Sequence, residues 1–342
     1  MHASIYRGRR GVSCENAHLR LTMTVEGGHI AEIFDKATGV NPLWTPPWPS
    51  IEPSTYSLST HPEYGNDAES KLLAGIMGHN LCLDLFGPPS EEEAWEGMTV
   101  HGEASVVPYE ITSSDSCIVA RAELPVARLR FQRAIQLEGR ALHFTETLEN
   151  LSGADHPTAW TQHVTLGPPF VEPGRTRFRA PVARSYSADS GGEFPWPNVP
   201  TSNGATRDMR TYNSAEVSAG FTTHLMRESP EAYFFAFSPT SRMLLGYVWR
   251  RADFPWLGVW EENHARTQPP WNGMTLTWGM EFGVSPLPES RRKMISRNGM
   301  FGSPGYRWIP ARSKVEVKYT AFLQPASSIP ESLEEVKIDV SA

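Results

Sequence analysis

In Ser116-Cys117-Ile118-Val119-Ala120-Arg121-Ala122-Glu123-Leu124, apolar and polar side chains alternate along the chain. Successive side chains of a β-strand point to opposite sides of its sheet, so this period of two residues predicts a strand with one buried face. Residues 19–25 show the same alternation. Strands are therefore the first elements that the sequence predicts.

The same signal recurs down the chain, while helical periodicity is scarce. Short helices are predicted only at 67–77, 90–95 and 331–336, and most of the 29 prolines lie between predicted strands. Many strands with few helices are typical of an antiparallel all-β fold. Further strands, each bounded by Gly, Pro, Asn or Ser, are predicted at 129–137, 141–149, 232–238, 243–250, 274–284 and 314–323.

The composition indicates one globular unit. Of the 342 residues, 39% are hydrophobic and 20% are charged, which is enough apolar material for a sizeable core without the charge excess of disordered chains. No fixed-period repeat, low-complexity segment or linker divides the chain. We expect a single domain over residues 1–342, since large β-sandwiches often exceed the average domain length.

The charge and the cysteines restrict the partners and the compartment. The formal net charge of -7 disfavours a nucleic-acid partner, which needs clustered Lys and Arg, and no stretch is long and apolar enough to span a bilayer. The acidic run 91–93 and the basic run 291–293 are predicted to be solvated loops.

Three scattered cysteines predict neither disulfides nor zinc, and the N-terminus lacks a signal-like apolar core. We expect a cytoplasmic protein.

Two histidines are candidates for chemistry. His101 precedes a glycine where a strand is predicted to begin near Ala104, and it either faces a cleft or caps a loop. His163 lies in the alternating stretch 160–167, which separates its face from that of Trp160, Gln162 and Val164. A histidine within a strand is either a structural residue or part of a site, so His163 needs a partner.

Glu281 is the candidate partner because it interrupts the apolar and aromatic stretch 276–284. An unpaired buried carboxylate is costly, so Glu281 takes part either in a salt bridge or in a functional pocket. In a pocket, low polarity would raise its pKa and make it a stronger base than a surface carboxylate.

A second candidate region covers residues 257–273. Trp260 and Trp271 offer flat apolar faces that suit the C–H face of a pyranose, and Glu262-Asn263-His264 offers partners for hydroxyl groups. Alternatively, both tryptophans fill the core beneath a long loop.

Several segments together resemble the aldose 1-epimerase (galactose mutarotase) superfamily. They are His101-Gly102, the 149–152 turn leading into Gln162-His163-Val164-Thr165, and Met280-Glu281-Phe282-Gly283 followed by a proline-rich exit. Their order along the chain is the family's order: an early histidine, a later histidine on a strand, and a glutamate near the C-terminus. The chain departs from the family where an arginine is expected in the early sugar-binding loop, because it has Gly78-His79-Asn80 there.

The resemblance implies a β-supersandwich, two large antiparallel sheets packed face to face, with a sugar pocket on one sheet. It implies that Glu281 is the general base, His163 the general acid and His101 a substrate-binding residue, with no metal and no organic cofactor. The sugar contacts that we expect are Asn80, Trp160, Gln162, Trp260, Glu262 and Trp271.

The function implied is interconversion of the anomers of a small-molecule sugar. Two alternatives stay open on the same fold, since a fold does not determine a function. One is a non-catalytic carbohydrate-binding protein, and the other is a different sugar epimerase or a lyase.

Overall fold

The structure, a computed structural model, describes residues 2–201 and 204–341. The strands are β1 (His2–Tyr6), β2 (Arg9–Glu15), β3 (Leu19–Thr24), β4 (Ile30–Asp35), β5 (His79–Asp84), β6 (Glu110–Ser113), β7 (Cys117–Leu124), β8 (Leu129–Glu138), β9 (Ala141–Asn150), β10 (His156–Leu166), β11 (Arg177–Arg179), β12 (Val182–Ser187), β13 (Gly192–Phe194), β14 (Asn198–Pro200), β15 (Thr206–Asp208), β16 (Ser218–Met226), β17 (Glu231–Ser238), β18 (Met243–Arg250), β19 (Trp256–Asn263), β20 (Leu276–Gly283), β21 (Arg307–Ile309) and β22 (Lys314–Pro325). The α-helices are α1 (Ser70–Leu73), α2 (Glu91–Trp95) and α3 (Arg291–Arg297), and 3₁₀ turns cover Pro53–Thr55, Pro62–Tyr64, Glu103–Ser105 and Leu333–Glu335.

The described strands form two large antiparallel sheets, which confirms the predicted all-β architecture. The first sheet has 12 strands in the order β1-β2-β3-β4-β5-β10-β20-β19-β16-β12-β13, with β21 added beside β10. The second has eight, in the order β11-β17-β18-β22-β9-β8-β7-β6, and β14 and β15 form a separate hairpin. Strand β10 lies at the centre of the first sheet, between β5 and β20.

The sheets pack face to face around one large apolar core. In β8 of the second sheet, buried and more exposed residues alternate, as expected for a strand with one solvated side. In β10 the residues from Thr158 to Leu166 are all buried, because the second sheet covers one face and loops cover the other. This double covering creates an enclosed environment on the outer face of β10.

Most predicted strand positions are confirmed within two residues at each end, and β18 has the predicted bounds. The predicted helix at 67–77 is limited to α1, which ends before Gly75, a poor helix former packed against Arg9 and Pro53. The strand predicted to begin near Ala104 is a 3₁₀ turn instead.

The prediction of a solvated loop at 291–293 is wrong, because these residues begin α3. Arg291 donates from Nη2 to Asp84 Oδ2 at 2.7 Å and from Nε to Glu93 Oε1 at 2.7 Å. These ion pairs attach α3 to the end of β5 and to α2. Within the described residues, no helix is long and apolar enough to cross a membrane.

Candidate active site

Strands β5, β10, β20 and β19 place the candidate residues side by side on the outer face of the first sheet. His163 is opposite Glu281 of β20 on one side and opposite Asn80 of β5 on the other. Trp260 is opposite Gly279 of β20, two residues from Glu281 and thus on the same face. Strand pairing alone therefore brings together residues that are more than 100 positions apart in sequence.

The central contact joins His163 and Glu281. The distance from His163 Nε2 to Glu281 Oε1 is 3.1 Å, and the two side chains are almost fully shielded from water. The other ring nitrogen, Nδ1, lies 2.9 Å from the Thr165 hydroxyl. Since each ring nitrogen has a partner, the imidazole is held in one orientation.

Burial determines how this pair holds its proton. It raises the pKa of Glu281 to about 8 and lowers the pKa of His163 well below its usual value, because the charged form of each group loses water. At neutral pH the pair therefore carries one dissociable proton, which the 3.1 Å contact allows Glu281 and His163 to share. Such a pair contains both a proton donor and a proton acceptor.

His101 approaches the pair from a loop. Its backbone has a φ of 68°, and Gly102 follows at 80°, where an added Cβ would lie 1.9 Å from the Leu83 carbonyl oxygen. His101 Nδ1–H donates to the Phe86 carbonyl at 2.7 Å, which leaves Nε2 as an acceptor. Burial lowers the pKa of His101 to about 4, so the ring is neutral near pH 7. Its centre is 5.1 Å from that of His163.

A pocket of about 190 Å³ opens above His163, His101 and Glu281. Its volume is below the range of about 300–1,000 Å³ that is usual for drug-sized ligands, which favours a single small molecule such as one sugar ring. Trp260 lies 5.8 Å from the His163 ring and 6.1 Å from Trp271. The aromatic residues that line the pocket are Phe86, Phe221, Trp260 and Trp271.

A larger cleft of about 870 Å³ lies elsewhere, between Tyr6, Phe34, Trp48 and several prolines. Its carboxylate, Glu32, accepts hydrogen bonds from Arg20 and Thr22. No histidine is among the described residues that line this cleft. The smaller pocket is thus the better candidate, because it alone of the two contains an acid–base pair.

Arg266 and Glu69 also line the pocket, and the sequence did not point to either. The Arg266 guanidinium lies 4.5 Å from the centre of the Trp271 ring and 5.7 Å from that of Trp260. The arginine expected in the early loop is absent from the sequence, so this later loop provides the arginine of the pocket. The signal available was the position of Arg266 between two candidate tryptophans.

Two of the expected sugar contacts are wrong. Trp160 and Gln162 are fully buried on the opposite face of β10, between the sheets. Trp160 Nε1–H donates to Glu146 at 3.0 Å, and the Gln162 amide donates to Glu146 at 2.7 Å. They belong to the core because alternation puts them on the face away from His163.

Glu262 and Asn80 are also placed differently from expectation. Glu262 is 1% exposed, and its Oε1 accepts the backbone N–H groups of Ala265 and Arg266 at 2.9 Å each, so it shapes the loop from beneath. Asn80 lies beside His163 at 1% exposure, and neither atom of its amide has a hydrogen-bond partner among the described residues. In contrast, Trp260 and Trp271 both line the pocket.

Within residues 2–201 and 204–341, no three His, Cys, Asp or Glu side chains are grouped in a way that could hold a metal ion. No protein-family model matches the sequence, and no curated protein sequence matches it either.

Solved structures do resemble the chain. A candidate aldose 1-epimerase from Klebsiella pneumoniae is 16% identical, with a TM-score of 0.67 over 96% of this chain and 82% of that one. A galactose mutarotase-like protein from Clostridium acetobutylicum is 13% identical, with a TM-score of 0.63 over 94% and 98% of the two chains. A galactose mutarotase related enzyme from Lactobacillus acidophilus is 9% identical, with a TM-score of 0.61 over 93% of this chain and 98% of that one. The shared property is the fold.

Proposed function

We infer, from the galactose mutarotase-like fold of this chain together with its pocket, that the protein interconverts the anomers of a small aldose. The observation that carries this proposal is the contact of 3.1 Å between His163 Nε2 and Glu281 Oε1 at the base of an aromatic-lined pocket. Anomer exchange needs one base and one acid in reach of the same sugar carbon, and this pair supplies both.

In the proposed reaction, the proton that the pair shares first moves from Glu281 to His163 across their 3.1 Å contact. The Glu281 carboxylate then removes the proton from the anomeric hydroxyl while His163 donates its proton to the ring oxygen. The bond between the anomeric carbon and the ring oxygen then breaks and gives the open-chain aldehyde. Rotation about the adjacent carbon–carbon bond and the reverse proton transfers close the ring as the other anomer. The two proton transfers balance, so the pair is restored after each turnover.

The remaining pocket residues would bind and orient the sugar. Trp260 and Trp271 present apolar ring surfaces to the C–H face of a pyranose. His101 Nε2 accepts a hydrogen bond from a sugar hydroxyl, because Nδ1–H is occupied by the Phe86 carbonyl.

We propose a cytoplasmic location for this activity. The three cysteines, Cys14, Cys82 and Cys117, are free, as is usual in a reducing compartment. Cell fractionation tests this part of the proposal, and recovery of the protein in a secreted or membrane fraction would contradict it.

Polarimetry and NMR exchange spectroscopy test the proposed reaction. Freshly dissolved α-glucose, galactose and mannose should reach anomeric equilibrium faster with the protein than in buffer. His163→Gln should remove most of this acceleration because glutamine cannot transfer the proton. His143→Gln is the matched control, since His143 lies on the second sheet and bonds to Thr320. This variant should retain the wild-type rate.

Sugar binding without any acceleration would instead support a non-catalytic carbohydrate-binding protein. Acceleration that survives in His163→Gln would contradict the acid–base assignment while leaving anomer exchange in place.

A further inference from the structure

The pocket is lined by one arginine and by two histidines that do not add to its positive charge. His101 and His163 are neutral near pH 7, because burial lowers the pKa of each ring. Arg266 is therefore the one cation among the described residues that line the pocket. A cation at a sugar site is a potential binding group for a phosphate or a carboxylate on the substrate.

Arg266 is not free to act as such a group, since two carboxylates flank it. Its Nη1 lies 3.6 Å from Glu69 Oε1, and its Nε lies 3.5 Å from Glu262 Oε2. Glu69 stands just before α1, on a different wall of the pocket from the loop that carries Arg266. The three side chains together carry one net negative charge when both carboxylates are ionised.

The three side chains differ in how far water screens them. Glu262 is 1% exposed, and Trp271 and Trp260 lie 4.5 Å and 5.7 Å from the guanidinium. About a third of the Arg266 and Glu69 side chains is exposed, so water partly screens this pair, while the charge of Glu262 acts from a shielded position. Burial raises the pKa of Glu69, although Arg266 opposes this effect. A phosphorylated sugar would have to displace Glu69 from Arg266 and approach both carboxylates. A neutral sugar faces neither requirement.

We propose that Glu69 is a specificity residue that, by pairing with Arg266, makes the pocket select uncharged aldoses over sugar phosphates and sugar acids. This inference rests on the proposed sugar-binding function and narrows it to one substrate class. Its physical basis is that like charges placed side by side at a binding site weaken binding strongly.

The test compares each free sugar with its 6-phosphate, using glucose and galactose as probes. For the wild type, kcat/KM should be at least about tenfold higher for the free sugar than for its phosphate. Glu69→Gln keeps the side-chain shape and removes the charge, so it should reduce this ratio about tenfold, mainly through the KM for the phosphate. Glu63→Gln is the matched control, because Glu63 is exposed in the same segment, and the ratio should not change.

A wild-type preference for the phosphate would overturn the inference. So would a ratio of kcat/KM values, free sugar over phosphate, that is the same in Glu69→Gln as in the wild type. Calorimetric binding of the same four sugars separates this inference from the proposed function. If the free sugars bind without turnover, catalysis is refuted. The ratio of the Kd for the phosphate to the Kd for the free sugar, compared between the wild type and Glu69→Gln, then tests the charge selection. If none of the four binds, both proposals fail.

Discussion

Glu146 and Glu281 are two buried carboxylates on opposite sides of strand β10, and they differ in how many donors they contact. Glu146 accepts hydrogen bonds from Arg133 Nε at 2.7 Å, from the Tyr319 hydroxyl at 2.7 Å and from the side chains of Trp160 and Gln162. Among the described residues, Glu281 has a single polar side-chain contact, which is with His163. Both side chains are at most 3% exposed, so burial alone does not separate them.

The number of donors explains the different roles that we assign. A carboxylate that accepts four hydrogen bonds from both sheets is saturated, and it connects the two layers of the sandwich. A carboxylate with one titratable neighbour keeps lone pairs that face a pocket, and burial raises its pKa to about 8. The inner group thus suits structure, and the outer group suits proton transfer.

The largest effect is expected from Glu281→Gln. This change preserves shape and removes the proton acceptor, so the rate of anomer exchange should fall by about 10²–10⁴-fold while sugar binding survives. Polarimetry and calorimetry measure the two quantities. Glu262→Gln is the control: its amide oxygen can still accept the backbone N–H groups of Ala265 and Arg266, so the loop should keep its shape and the rate should change little. A rate that survives in Glu281→Gln would contradict the assignment of Glu281 as the base.

Arg133→Met should affect stability rather than chemistry. It leaves Glu146 buried without its cation, which typically costs about 3–5 kcal/mol of unfolding free energy. Urea denaturation measures this loss. Arg130→Met on the same strand is the control, because Arg130 pairs with Glu123 and Glu149 at the surface and its loss should change little. Equal stability of the two variants would refute the structural role of the hydrogen bonds around Glu146.

The pH dependence of the rate tests the proton shared by His163 and Glu281. The reaction needs one proton shared between His163 and Glu281, and the pKa of Glu281 is about 8. Above that pH the proton is lost, so kcat/KM should fall about tenfold per pH unit after the spontaneous rate is subtracted. Below it the rate should stay level through neutral pH. A rate that rises through pH 8 would show that ionised Glu281 suffices without the shared proton.

Thr165→Val should have the smallest effect. It removes the hydroxyl that lies 2.9 Å from His163 Nδ1, and one hydrogen bond is worth about 0.5–1.5 kcal/mol, so kcat should fall about two- to tenfold. Thr161→Val is the matched control on the same strand and face, because the Thr161 hydroxyl has no partner among the described residues. Similar rates in both variants would show that the Thr165 contact does not orient the ring.

Some features of the site could be predicted because they depend on local pattern and on the order of motifs. Alternation along 160–167 correctly separated the face of His163 from the face of Trp160 and Gln162. The cost of burying a lone carboxylate correctly indicated that Glu281 has a partner. Resemblance to an ordered set of motifs then paired Glu281 with His163, and the structure brings the two together.

Other features could not be predicted, because alternation does not say which face of a central strand meets the core. Trp160 and Gln162 were expected at the sugar for that reason, although they contact Glu146 between the sheets. Arg266 was missed since nothing local distinguishes a loop arginine that stacks on Trp271 from one in solvent.

By itself the sequence determined the strands, their two faces and the residue types available for acid–base chemistry, because these follow from periodicity and side-chain structure. Only the tertiary structure decided which buried carboxylate is saturated and which is reactive. That difference depends on donors from other strands. Arg133 and Tyr319 reach Glu146 from the neighbouring strands β8 and β22, and Trp160 and Gln162 reach it from the first sheet. Of the residues that the structure describes, His163 alone contacts the Glu281 carboxylate. The number of donors around a buried charge is set by packing, and packing joins residues that no local pattern relates.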